Sequence, residues 1–467
     1  MTELQSMSNV GLKKLNDPRG HLRQRVLLVG GILVYIACFQ WMYVHWLYPT
    51  FGYSGFDYNP PRVAYLALAW ILSVLPSLWM PMAIARPSQL AYWVLYLVAI
   101  IPSAFVPFYA GLDNPSEIAI VVVVLVVGFA ITGLSYSFPL LKLPTAILRR
   151  AHFWQGFALL AGALAVAVIV AFRGQLQISS FADVYDVRSA ADDVMEGNRL
   201  NYALMWLSGA IDPFMMGWGL YHKRPLLFLA GAMGQLLVYS SLGTKGSVIS
   251  ILFVLAIYLL VRGTRFPVAL KLMGGVVGLL AALLMASVFV SDEQESLLWI
   301  ALSVIFMRTF AINGLMTAWY YNFFQINPQT HLSHLNGVNL FIPYRYANPV
   351  GIEVGSYYSG FATTDANGHF WATDGLASFG LPGILLVSVF CALVFWILDS
   401  AARRHDPKLA ALVISYAAYN LANIGIFTTF LSGGLGLLIL LLYFMPGERS
   451  GVSASSRVLP TAVRSTA

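Results

Sequence analysis

The chain has 467 residues, of which 59% are hydrophobic and only 10% are charged. A water-soluble domain carries about 25% charged residues, so much of this apolar surface is expected to face lipid. The formal net charge of +7 is a topology signal in a membrane protein and does not indicate nucleic-acid binding. Cys38 and Cys391 lie in separate apolar runs, so neither a disulfide framework nor a zinc site is expected.

Apolar runs long enough to cross a bilayer recur along the chain. A helix needs about 20 residues to span the hydrocarbon layer, and about twelve runs meet this test. The sequence therefore predicts an all-α polytopic membrane protein whose first span is not cleaved. The predicted spans are 26–48, 63–84, 88–110, 117–138, 153–172, 201–221, 225–242, 246–261, 268–290, 375–398, 409–430 and 434–446.

The distribution of lysine and arginine predicts the orientation of these spans. With the N-terminus in the cytoplasm, most of the 27 basic residues fall in cytoplasmic loops, as the positive-inside rule requires. The predicted organisation is a cytoplasmic tail at 1–24, transmembrane helices within 25–290 with an external loop at 173–200, a large external loop at 291–374, three further transmembrane helices within 375–446 and a disordered cytoplasmic tail at 447–467.

The large external loop contains its own apolar stretch, 297–324, interrupted by Arg308. A thirteenth span there would place Arg403 and Arg404 outside, against the positive-inside rule. We therefore predict a helix or helical pair that lies at the outer surface or dips into it.

Four external cations, Arg188, Lys245, Arg308 and Arg345, stand out. For the other three, Arg62, Arg173 and Arg199, snorkelling at the interface or a local ion pair is a sufficient explanation. Lys245 lies in a glycine-rich turn, 243–246, at the start of a span, where helix N–H groups beside a cation suit an anion such as a diphosphate. The alternative is a lysine that caps a turn at headgroup level. Arg308 needs an anionic partner in its apolar helix, either a ligand or an acidic side chain.

The external loops are polar and aromatic, a mixture expected where sugar rings stack and hydroxyls are hydrogen-bonded. The segments concerned are 181–188, 343–349 and 363–375. Asp374 is predicted to be only the N-cap of the next span. His331, His334 and His369 lack the spacing of metal ligands. Asp212, inside a span before Pro213, is either a functional group or a structural one that is hydrogen-bonded near the kink.

These features together resemble the Wzy-type O-antigen polymerases, relatives of the O-antigen ligases. The likeness covers most of the chain and is carried by the order of its motifs, at 185–188, 243–246, 307–310 and 364–383. The resemblance implies a GT-C-like helical enzyme of the bacterial inner membrane with a periplasmic active site. It would transfer a growing glycan from undecaprenyl diphosphate to a new lipid-linked unit, without a nucleotide sugar, a cofactor or a metal. It also implies a partner protein that regulates chain length.

Such a transfer needs two kinds of side chain: cations that stabilise the leaving group, and a base that deprotonates the acceptor. Cations in a partly dry site stabilise a departing diphosphate, and a base activates the acceptor hydroxyl. The diphosphate ligands are predicted among Arg188, Lys245, Arg308 and Arg345. The base is predicted among Glu353, Asp365, His369 and Asp186. The glycan contacts are predicted at Tyr185, Tyr344, Asn348, Asn367 and Trp371.

Two other functions compete with polymerisation. An O-antigen ligase, which transfers finished glycan to lipid A core, needs the same cationic contacts. A lipid-linked oligosaccharide flippase or other transporter would be expected to place charges in the middle of several spans, where this chain has only Asp212.

Overall fold

The structure is a computed structural model that describes residues 18–144, 148–177, 200–263, 267–290 and 296–447. Over these ranges the chain forms helices, and one isolated β-bridge joins His369 to Ile424. Within the same ranges, nine helices are long and apolar enough to cross a membrane, counting Ile426–Phe444, which is interrupted at 432–434, as one. The multi-pass character predicted from hydropathy is therefore confirmed.

The helices follow the predicted spans closely in the first two thirds of the chain. Predicted spans 88–110 and 225–242 have the same bounds as the helices observed there. The helix in predicted span 63–84 ends early, at Leu78. The helices are α1 Gly20–Ser54, α2 Val63–Leu78, α3 Ser88–Ala110, α4 Pro115–Tyr136, α5 Arg150–Ala171, α6 200–221, α7 Pro225–Leu242, α8 Lys245–Val261, α9 Val268–Phe289, α10 Leu297–Ile326, α11 Val350–Ser359, α12 Trp371–Ala402, α13 Pro407–Val413, α14 Ser415–Asn420, α15 Ile426–Leu431 and α16 Leu435–Phe444.

Cationic side chains close one end of the helical bundle. Arg25 donates to two carbonyls at the end of α2, both at 2.7 Å, and Arg86 donates to two carbonyls at the end of α4. Lys271 donates to three carbonyls at the end of α8. Carbonyls at helix C-termini carry partial negative charge, which cations stabilise. We call this the basic end of the bundle, and the opposite end the loop end.

Helix α3 forms the centre of the bundle, and every residue in it is buried. It packs against α2, α4, α10 and α14. Its N-terminus is held by Asp399 of α12, which accepts hydrogen bonds from the Ser88 backbone N–H at 3.0 Å and the Ser88 hydroxyl at 2.7 Å. By contrast, α5 and α9 expose most of their apolar side chains, as expected for helices that face lipid.

Helix α10 begins and finishes at the loop end. Its first half packs along α1, with the Trp299 ring 5.6 Å from Phe51 near the end of α1 and the Phe310 ring 6.1 Å from Tyr35, deeper in the bundle. Its second half turns back along α3, so that Asn322 donates to the carboxylate that follows α3, at 2.8 Å. The ends of α1 and α3 are neighbours. The contacts thus place both ends of α10 near the loop end and its middle beside the middle of α1 and α3. The outer-surface or dipping course expected for 297–324 stays a prediction.

The last third of the chain contains breaks that hydropathy did not predict. Helix α12 bends sharply at Phe379 and Gly380, so that its first eight residues fold back and Gly375 contacts Gly383. The prediction of one continuous span at 409–430 is wrong: α13, α14 and α15 are separate helices. The chain is unwound between α14 and α15 because Gly425 adopts a φ of +76° there, outside the helical region.

Candidate functional site

Two unwound segments cross inside the loop-end half of the bundle. The backbone N–H of Gly368, just before α12, donates to the carbonyl of Asn423 at 3.0 Å. In return the N–H of Gly425 donates to the carbonyl of His369 at 3.2 Å. Gly368 has a φ of +99°, and a Cβ there would lie 2.8 Å from Ile312 of α10. Glycine is therefore required, and the crossing fixes the backbone of His369.

His369 faces a buried carboxylate across this crossing. Its Nδ1 lies 3.6 Å from Oδ1 of Asp374, and the two side chains are only 18% and 9% exposed. The other oxygen, Oδ2, accepts a hydrogen bond from the N–H of Ile426 at 2.8 Å. A Cβ at position 425 would lie 2.5 Å from Oδ2, so Gly425 allows this approach. At this distance the contact is not a hydrogen bond, and Nδ1 of His369 has no hydrogen-bond partner. A carboxylate beside a histidine is nevertheless a pairing that a general base can use.

The prediction that Asp374 is only a helix N-cap is wrong. The N-cap of α12 is Phe370, and the Asp374 carboxylate instead contacts α15 and His369. The sequence gives no sign of this role, because the residues that contact the carboxylate from α15 lie about fifty positions further along the chain.

Arg308 reaches the same crossing from α10. Its Nη1 donates to the carbonyl of Asn367 at 2.9 Å. Arg308 itself lies within a π-helical stretch of α10, Ser303–Ala311. The ring of Tyr320, further along α10, stacks on His369 at a centroid distance of 5.8 Å. Arg308, Asn367 and His369, each predicted as a site residue, are thus brought together. Asn367 contributes its carbonyl to this arrangement.

Lys245 is connected to Arg308 through side chains on one face of α14. It starts α8 directly after the Gly243 turn, where φ is +61°. Two stacked tyrosines of α14 bridge the interval, with ring centroids 5.9 Å apart. The hydroxyl of Tyr416 approaches Gly246, and the Tyr419 side chain lies beside Thr309, the residue after Arg308. Helix α14 therefore links the two cations that the sequence analysis singled out.

Glu353 holds a turn in the large loop. Its Oε1 accepts hydrogen bonds from the backbone N–H of Asn348 at 2.7 Å and from its Nδ2 at 3.0 Å. The Tyr344 hydroxyl donates to the Asn348 carbonyl at 2.7 Å, and burial, aided by Glu353, raises the pKa of Tyr344. This carboxylate is committed to a structural turn, which weakens its case as a base. Arg345 and Asp365 are exposed.

Trp371 is not available as a platform for a sugar ring. Its side chain is fully buried, and its ring packs against Gly128 of α4. The prediction of a glycan contact there is wrong, because the residue begins the folded-back part of α12 inside the bundle.

Three predicted site residues, Tyr185, Asp186 and Arg188, lie outside the described residues. Described residues lie on either side of that segment. The N–H of Gln177 donates to the Ser240 carbonyl, a few residues before the Lys245 turn. Tyr202, near the start of α6, accepts a hydrogen bond from Asn336 of the large loop. Gln177 and Tyr202, which are described, therefore both lie at the loop end.

His334 belongs to the surroundings of the site, although nothing in the sequence predicts a role for it. The Thr330 hydroxyl lies 3.1 Å from the carbonyl of Ala377, to which it can donate, and 2.9 Å from Nδ1 of His334, with which it is hydrogen-bonded. Burial lowers the pKa of His334; nearby Asp374 raises it in part, and His369 lowers it. The imidazole is therefore neutral at neutral pH. Only the fold brings the 330–334 turn onto α12.

No protein-family model, curated protein or solved structure matches this chain. Its chemistry must therefore be argued from the residues themselves. The part of the chain that the structure describes contains no group of three or more histidine, cysteine, aspartate or glutamate side chains suited to a metal ion. What it does contain is an arginine and a histidine–carboxylate pair at one crossing, with a lysine at the start of the neighbouring helix α8. Such a set can hold an anion and accept a proton.

Proposed function

We propose that this chain is a glycosyltransferase that polymerises undecaprenyl-diphosphate-linked oligosaccharide units at the periplasmic face of the bacterial inner membrane. The observation that carries the proposal is the crossing of two unwound segments, where Arg308 and the His369–Asp374 pair meet. This crossing lies in the loop-end half of the bundle, away from the basic end. The positive-inside rule assigns the basic end to the cytoplasm, so the loop end faces the periplasm.

The cations fit the needs of a diphosphate donor. When the glycan leaves the polyprenyl diphosphate, negative charge develops on the departing oxygen. Arg308 is half-buried, and a cation in a partly dry site stabilises such charge more than water does. Lys245 is the first residue of α8, where the partial positive charge of the helix N-terminus adds to the attraction for phosphate.

His369 supplies the base. Its Nε2 takes the proton of the acceptor hydroxyl as that oxygen bonds to the anomeric carbon of the donor. The bond from that carbon to the diphosphate oxygen breaks in the same transfer, and the diphosphate leaves as an anion. Asp374 stabilises the imidazolium formed at His369. The donor is already activated, so this route uses no nucleotide sugar. A chain-length regulator is the protein partner proposed for the enzyme.

The decisive experiment is reconstitution. Purified protein in lipid vesicles, supplied with a synthetic undecaprenyl-diphosphate-linked repeat unit, should form a ladder of products. Arg308→Ala and Lys245→Ala should abolish the ladder. Arg403→Ala is the matched control, because Arg403 donates to a carbonyl at the basic end and should be dispensable for transfer.

Three outcomes would replace the proposal. Transfer that occurs only to lipid A core would identify a ligase. Movement of the lipid-linked unit across the bilayer with no new glycosidic bond would identify a transporter. Labelling of a cysteine placed at the exposed Leu340 from the cytoplasmic side alone would put the loop end on the wrong side of the membrane.

A further inference from the structure

Asp212 is a buried acid that the proposed transfer does not use. It lies in α6 with a relative exposure of 1%, and neither oxygen of its carboxylate has a hydrogen-bond partner. The carboxylate lies directly against Gly234 of α7: a Cβ at that position would be 2.2 Å from Oδ1. Buried polar atoms without partners are uncommon in folded proteins, and each needs a physical explanation.

A second unpartnered acceptor lies at the same interface. Gln235, next to Gly234 on α7, donates from Nε2 to the carbonyl of Ser208 at 2.8 Å. Its Oε1 is buried and has no partner. Ser208 lies one helical turn before Asp212, so both face α7. The orphaned oxygens of Asp212 and Gln235 therefore share one region between α6 and α7.

Among the described residues of α6 and of the helices packed against it, no basic side chain is placed to neutralise this carboxylate. The sequences of α6 and α7 contain no lysine, arginine or histidine. On the other helices packed against α6, the basic groups are confined to the first turns: Lys245 of α8, Lys408 of α13, and Arg150 and His152 of α5. An unpaired carboxylate inside a membrane is costly enough that a group in this position takes up a proton instead.

We propose that Asp212 binds a proton and shares it with Gln235, as a carboxylic O–H that donates to Oε1. One hydrogen atom then gives the carboxyl group and the amide oxygen the partner that each lacks. The site joins α6 to α7 within the membrane, and α7 leads directly into the Gly243 turn that precedes Lys245. This inference does not depend on the proposed glycosyl transfer.

Infrared spectroscopy of the purified full chain tests the protonation directly. At neutral pH the wild type should show the C=O stretch of a protonated carboxylic acid, and Asp212→Asn should lose it. Asp406→Asn is the matched control, since Asp406 caps α13 at a partly exposed position and should leave the band unchanged. Gln235→Leu should move the band to higher frequency, because the hydrogen bond is lost. Identical spectra for wild type and Asp212→Asn would overturn the proposal.

Thermal stability provides an independent measurement. Asp212→Asn should keep the wild-type melting temperature, because the amide can donate to Gln235 as the acid does. Asp212→Leu leaves Oε1 without a donor and should melt several degrees lower. Equal losses for the two variants would refute a shared proton. A melting temperature that falls when choline replaces sodium would instead identify a bound sodium ion and also overturn the proposal.

Discussion

Replacing Gly368 by alanine isolates the contact that sets the position of His369. Gly368 has a φ of +99°, and the added Cβ would lie 2.8 Å from Cγ2 and 2.9 Å from Cγ1 of Ile312. Gly337 has the same φ of +99° but nothing within 4 Å of the added atom. The positive φ costs about 1–2 kcal/mol at either site. The clash should add about 1–3 kcal/mol at Gly368 alone.

The assay is a denaturant titration of the full chain in mixed micelles, with transfer activity measured beside it. Gly368→Ala should lose more stability than Gly337→Ala by the amount of the clash, and its turnover should fall by about 10²-fold as His369 shifts. Combining it with Ile312→Ala should recover part of the stability, because the methyl groups that collide are gone. Equal losses for the two glycine variants would refute the close approach.

Three further predictions concern the side chains around the crossing. His369→Gln should lower turnover by about 10²–10⁴-fold with unchanged protein yield. Asp374→Asn should also slow transfer, although its amide oxygen can still accept the hydrogen bond from Ile426. Wild-type rates for these variants in a ladder assay would show that the pair takes no part in catalysis. Glu353→Gln retains an acceptor for Asn348 and should leave the ladder intact, whereas a lost ladder would make Glu353 the base. His334 should make stability pH-dependent: its folded pKa lies below the ordinary 6.5, so the unfolded chain binds the proton first and stability declines as the pH falls below about 6.5. His334→Asn should flatten that decline in unfolding curves measured across the range, and an unchanged slope would contradict the assignment.

Hydropathy and charge predicted most of the helices but not the breaks within them. The bounds of α3 and α7 follow from apolar length and flanking proline, glycine or basic residues. The break before α15 depends on Gly425, which lies among apolar residues and looks no different from a helical glycine in the sequence. Its φ is positive because the Asp374 carboxylate and the His369 carbonyl approach it. Only the tertiary structure supplies those neighbours.

The site was predicted only in part, because several of its contacts also depend on the tertiary structure. Arg308 was singled out because a cation in an apolar helix needs a partner, and it does reach the crossing beside His369. Glu353 and Trp371 matched the composition of a sugar site, but composition does not determine whether a carboxylate holds a local turn or an indole is buried. Asp374 and His334 acquire their contacts from segments distant in sequence.

The capping of α3 by Asp399 has a consequence for biosynthesis. Helix α3 is made early, yet the carboxylate that receives its first N–H lies 311 residues later in the chain, and α10, α12 and α14, which surround it, also come from the second half. Until those helices have been synthesised, α3, which is buried in the finished protein, is exposed to lipid. During that time the N–H group at its N-terminus lacks the carboxylate that later accepts its hydrogen bond. A chain cut short before α12 should therefore be recognised as incomplete by membrane proteases.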